Sequence, residues 1–69
     1  MKPRVKDRNG RPVDVGDTLI TNDGLYRVMT TEPDGVTVEE LILDKSDNLT
    51  LSGERYHWTK CEVMRGVRF

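Results

Sequence analysis

Cysteine and histidine occur once each, as Cys61 and His57, and phenylalanine and tryptophan also occur once each. A lone thiol cannot close an internal disulfide. Small secreted folds usually carry several such bridges, so a reducing, cytoplasmic setting is expected. One histidine and one cysteine cannot complete a tetrahedral zinc site, which takes four such ligands. The oxygen-rich run Asp44-Lys45-Ser46-Asp47-Asn48 lacks the glycine and the distal glutamate of a calcium loop. The glycines follow neither a G-x-G-x-x-G nor a P-loop spacing, so no nucleotide cradle is indicated. No metal and no cofactor are therefore expected. Long apolar runs are missing too. Nothing approaches the roughly 20 residues of a membrane span, and no apolar stretch follows Met1-Lys2-Pro3-Arg4, so neither a span nor a signal peptide is expected. Apolar residues at helical spacing are also absent, except where glycine or proline interrupts them.

Catalysis is not expected either. His57 and Cys61 stand four residues apart and would share a face if both lay on a strand. Thr59-Lys60 between them suggests a bend, and no third group is evident to orient the pair. Cys61 reads more simply as a small buried residue heading a last strand, and His57 as a surface or rim residue.

What the chain does have is turn chemistry and short β-forming runs. With 69 residues it makes one small domain with a thin margin of stability. Asn9-Gly10 signals a turn, and Pro12 after it discourages ladder pairing. Asp23-Gly24 reads as a tight hairpin between two β-rich runs, Pro33-Asp34-Gly35 and Ser46-Asp47-Asn48 as further turns, and Ser52-Gly53 as a bulge or bend. The runs between them predict five strands, over 13–21, 25–32, 36–43, 49–58 and 61–67. A single helical turn is conceivable at Glu39-Glu40-Leu41. Five short antiparallel strands hide their edges most economically by curling into a barrel. The expectation is an all-β, single small five-stranded antiparallel barrel over residues 11–69, preceded by a basic arm over residues 1–10.

Val13-Asp14-Val15-Gly16-Asp17-Thr18-Leu19 resembles the opening of Src-homology-3-like and KOW-type small barrels, in which a Gly-Asp pair bends the chain into the first long strand. Gly24-Leu25-Tyr26-Arg27-Val28 is similar to their second strand, and Asp34-Gly35-Val36 to the turn into their third. The likeness covers residues 11–43, with weaker support to residue 64. Stand-alone barrels of this size occur among phage and prophage accessory proteins, a link by association only.

Two features point to binding. Charge is segregated: residues 1–13 carry five cations against Asp7, residues 14–54 ten acids against Arg27 and Lys45, and residues 55–69 four cations against Glu62. In a small barrel the first and last strands lie side by side, which would gather Lys2, Arg4, Lys6, Arg8, Arg65 and Arg68 on one wall suited to phosphates or an acidic protein. The plainer reading is a flexible tail before Val13 together with scattered solubilising charge. The second feature is Arg55-Tyr56-His57-Trp58, where a strand would send Tyr56 and Trp58 one way and Arg55 and His57 the other. Trp58 serves either as core filler or as part of a contact surface. The expected function is a non-enzymatic protein-binding module, such as a mobile-element accessory factor docking on a larger protein. The alternative is a KOW-like barrel that binds nucleic acid through the basic ends and these aromatics.

Overall fold

A computed structural model describes residues 5–69. Five strands form one antiparallel sheet: β1 (Thr18–Thr21), β2 (Gly24–Glu32), β3 (Gly35–Leu43), β4 (Leu49–Thr59) and β5 (Val67–Arg68). A single helical turn, α1 (Lys60–Val63), separates β4 from β5. The sheet order is β4-β3-β2-β1-β5, so β4 and β5 are its two edges and the sheet is not closed into a barrel. Lys2 and Arg4 of the basic arm lie outside the described residues.

Local sequence explains most of these boundaries. β1 and β2 meet across the two-residue turn Asn22-Asp23, one residue earlier than the Asp23-Gly24 reading. The Thr21 hydroxyl accepts from the Asp23 N–H and donates to the Gly24 carbonyl, which fixes that turn. Pro33-Asp34 joins β2 to β3, where Glu32 faces Gly35. Asp44 shapes the β3–β4 turn, its Oδ1 accepting from the Ser46 and Asn48 N–H groups at 2.8 and 3.0 Å. This is the Asx-type geometry that aspartate supplies to turns, and it accounts for the oxygen-rich run without an ion.

Three expectations need correction. The first strand begins at Thr18 and not at residue 13. Asp14 to Asp17 form a turn instead, closed by the Asp17 N–H on the Asp14 carbonyl, with Gly16 at φ 92°. Glu39-Glu40-Leu41 is strand. Residues 60–63 are helical because Thr59-Lys60-Cys61-Glu62 is a capping box: Thr59 Oγ1 accepts from the Glu62 N–H while the Glu62 carboxylate accepts from the Thr59 N–H. Cys61 consequently sits exposed on α1 rather than buried at the head of a strand.

One face of the sheet carries the core. Leu19, Tyr26, Val28, Val36 and Val38 are buried there, and cross-strand pairing puts Leu19 beside Tyr26 and Val28 beside Val38. Val5 and Val13 from the N-terminal segment and Val63 from α1 complete the cluster, so these pieces cover ground that strand closure would otherwise have to cover. The N-terminal segment is tied in from Val5 onward, with the Val13 N–H on the Val5 carbonyl and the Arg8 N–H on the Gly66 carbonyl, both at 2.9 Å.

Candidate functional site

The reverse face of the sheet is unusual. Following the register, Val67 on β5 faces Ile20 on β1, which faces Leu25 on β2, then Leu41 on β3, then Leu51 on β4. Partners directly opposite in antiparallel strands share a face, so one unbroken aliphatic row crosses all five strands on the side away from the core. Leu43 and Leu49 face each other two residues further along the same face. Leu43 is 64% exposed, Leu49 46%, Leu51 45% and Ile20 40%. Leu41 is buried but stands outside the main core cluster, so the row forms a second apolar group of its own. β4 alone runs 11 residues, about 36 Å of extended chain at ~3.3 Å per residue. The outer end of the β3–β4 hairpin therefore reaches well beyond the core and carries its leucines into solvent.

Beside this row lies a charged one, Arg27, Glu39 and Arg55 on adjacent strands. Glu39 is the organiser. Its Oε1 accepts from Arg55 Nε and its Oε2 from the Gly53 N–H, both at 2.9 Å. The second bond holds the bulge by which Ser52-Gly53-Glu54 opposes Glu40, with Gly53 at φ 86°. The Arg55 hydrogen bond and the Gly53 N–H hold the Glu39 carboxyl below its ordinary value, against the opposing effect of burial.

The residues singled out from sequence divide. Tyr56 and Trp58 point to the core side, where Tyr26 meets Trp58 edge-on at 4.6 Å and Tyr56 at 6.2 Å between ring centroids. Trp58 is half-buried against the core, while Tyr56 remains 45% exposed. Arg55 is engaged by Glu39, and His57 Nε2 lies 3.4 Å from Asp34 Oδ2. The backbones of the two chain ends meet, through the Arg8 N–H on the Gly66 carbonyl and the Arg68 N–H on Asp7. Asp7, fully buried, accepts the Arg68 N–H on Oδ2 and the Asn9 and Arg11 N–H groups on Oδ1, each at 2.9 Å. Burial would raise the Asp7 carboxyl, but these backbone donors outweigh it and hold the group below its ordinary value. Arg68 Nη1 turns to the Pro12 carbonyl at 3.1 Å, whereas Lys6, Arg8 and Arg65 are exposed. Missed by the sequence reading were the aliphatic row and Lys60. The signal for the row was present in Leu41-Ile42-Leu43 and Leu49-Thr50-Leu51 flanking a polar turn. Among the described residues no group of three or more His, Cys, Asp or Glu could hold a metal, and no helix is long and apolar enough to cross a membrane.

Both lowered carboxyls bear on acid stability. Their ordinary values are 3.8 for Asp7 and 4.5 for Glu39, and lowering makes the charged form favour the folded state. That contribution is complete above the ordinary values and is lost as pH falls through the lowered ones. The urea unfolding midpoint should hold steady from neutrality to about pH 5 and then fall steeply below about pH 4. In a Glu39→Gln, Arg55→Gln chain the fall should be shallower; equal steepness in the two proteins would count against the Glu39 contribution.

No known protein family, curated protein or solved structure matches the chain.

Proposed function

We propose that this domain is a non-enzymatic protein-binding module whose docking surface is the aliphatic row on the reverse face of its sheet. The continuity of that row from Val67 to Leu51 carries the reading. Contiguous exposed apolar surface is costly for a monomer and marks interaction sites when polar residues rim it. Here Arg27, Glu39 and Arg55 form the rim on one side and the Asp44–Asn48 turn closes the far end. A sheet face of this kind accepts an apolar helix or a second sheet packed at about 10 Å. The partner is therefore a protein presenting an aliphatic ridge. The neighbour relation of β5 with β1, and the Gly16-Asp17 bend ahead of β1, support a Src-homology-3-like architecture in which α1 and the N-terminal segment cover the gap between the sheet edges. The sequence resemblance to small accessory barrels makes a mobile-element factor acting inside the cell the natural setting.

Nucleic-acid binding through Tyr56 and Trp58 has less support. Stacking on bases needs exposed aromatic faces in series; Trp58 is half-buried against the core, which leaves Tyr56 as the one exposed ring of the pair.

The test is a Leu43→Glu, Leu49→Glu double variant. Both side chains are exposed, so the melting temperature should change by no more than about 4 °C, the equivalent of under ~1 kcal/mol. Capture of a discrete protein by the parent chain should be lost in the variant. Capture that survives the substitutions, or nucleic acid as the main co-purifying species, would overturn the reading.

A further inference from the structure

We infer that the concavity between the N-terminal turn and α1 binds an organic anion carried on a short apolar stem. The cavity measures about 250 Å³, shares no lining residue with the aliphatic row, and is lined by Lys6 and Arg8 from the turn, Lys60 from α1, and Val5 and Met64. Its volume falls just below the roughly 300 Å³ at which pockets for drug-sized ligands begin. It therefore suits a small molecule or the terminal group of a larger one.

Three observations support this. First, the cations come from two ends of the chain yet sit on backbone that is tied together. The Asp7 N–H donates to the Arg11 carbonyl within the turn, and the Arg8 N–H donates to the Gly66 carbonyl just beyond α1, which joins the turn to the segment that carries Lys60. Second, none of the three side chains has an ion-pair or hydrogen-bond partner among the described residues, whereas Arg55, His57 and Arg68 each face a carboxylate. Asp7 also borders the cavity; its carboxylate is held by backbone N–H groups, and its single charge offsets only part of the three positive ones. Like charges gathered at one concavity repel, and a bound anion relieves that repulsion. Third, Val5 and Met64 give the cavity an apolar wall. A guanidinium fork beside two ammonium groups matches a carboxylate or a phosphate monoester, and each methylene buried against the wall should tighten binding about four-fold. The same chemistry is offered by a free small amphiphile and by the C-terminal carboxylate of a peptide ending in an aliphatic residue.

Amide NMR titrations of the full chain with methyl phosphate, hexyl phosphate, hexanoate and a leucine-terminated peptide, as free acid and as amide, test this directly. Saturable shifts are expected at Lys6, Arg8, Lys60 and Met64, with hexyl phosphate binding at least about ten-fold more tightly than methyl phosphate. Arg8→Gln combined with Lys60→Gln should abolish them without moving the melting temperature, and Leu43→Glu, Leu49→Glu should leave them intact. Binding of the peptide acid but not its amide assigns the site to peptide termini; binding of the small amphiphiles alone assigns it to free anions. The inference falls if no probe saturates, if the two phosphates bind alike, or if shifts spread equally to Arg11 and Arg65.

Discussion

Asp7→Ala should lower stability by about 3 kcal/mol and the melting temperature by roughly 12–24 °C. The expectation follows from what the carboxylate does. It is fully buried and accepts three backbone N–H groups, two within its own turn and one from Arg68, 61 residues away. Bonds to charged groups contribute more than neutral ones, and a donor left buried without a partner costs about 1–3 kcal/mol. The Asn9 and Arg11 donors belong to exposed residues and can turn to water, so the Arg68 donor carries most of the loss. A domain of this length has only about 3–10 kcal/mol in total. Asp7→Asn separates the two roles. Its amide oxygen can still accept from Asn9 and Arg11, but its NH₂ group then confronts the Arg68 N–H. This variant should lose about half as much stability and show early hydrogen exchange confined to Arg68 and Phe69, whose N–H groups bind Asp7 and the Thr18 carbonyl. A melting temperature within about 2 °C of the parent for Asp7→Ala would remove Asp7 from this role.

The importance of Asp7 could not be read from sequence, because its partner on β5 is distant along the chain. The same distinction separates what was legible from what was not. β2, β3 and β4 lie within a residue of the boundaries expected from alternation and turn residues, since both signals are local. The capping box at Thr59 to Glu62 is equally local, yet the β-forming residues on either side outweighed it, and a strand was expected where α1 stands. Val13 was assigned to the first strand because it is apolar and alternates with its neighbours. It is indeed buried, but in a segment that Gly16 turns away from the sheet. The aliphatic row required cross-strand register, which depends on the bulge at Ser52-Gly53-Glu54. Without it, Leu49 and Leu51 would meet different partners. The pairing of first and last strands was a topological expectation, and β1 does pair with β5. That this leaves Lys6, Arg8 and Lys60 around one cavity depends on α1, which was not foreseen.

Replacing Gly35 by alanine should be far more damaging than the same change at Gly16 or Gly24, and for a different reason. Gly16 stands in a turn and Gly24 and Gly35 directly follow turns, where conformational freedom is the usual explanation. Gly16 and Gly24 do have positive φ, 92° and 140°, but an added Cβ would meet nothing within 4 Å at either. Their cost is backbone strain alone, about 1 kcal/mol. Gly35 has no positive φ. Its backbone instead lies so close to β4 that a Cβ would overlap the Trp58 carbonyl oxygen and come within 3.0 Å of the Thr59 Cα. Backbone cannot swing aside as a side-chain tip can, so β3 and β4 must separate where Gly35 pairs with Thr59. Thr59 is the cap of α1, and the Asp34 carbonyl beside Gly35 accepts the Lys60 N–H. Separation there therefore loosens α1 and the Val63 contact with the core as well. Overpacking a well-filled site typically costs about 1–3 kcal/mol, and the linked loss of α1 places Gly35→Ala at or above the top of that range. Parallel thermal melts should show a fall of at least about 12 °C for Gly35→Ala against about 4–8 °C for each of the others. Equal falls in all three would mean that the close approach of Gly35 to Trp58 relaxes freely, and that turn conformation alone governs these positions.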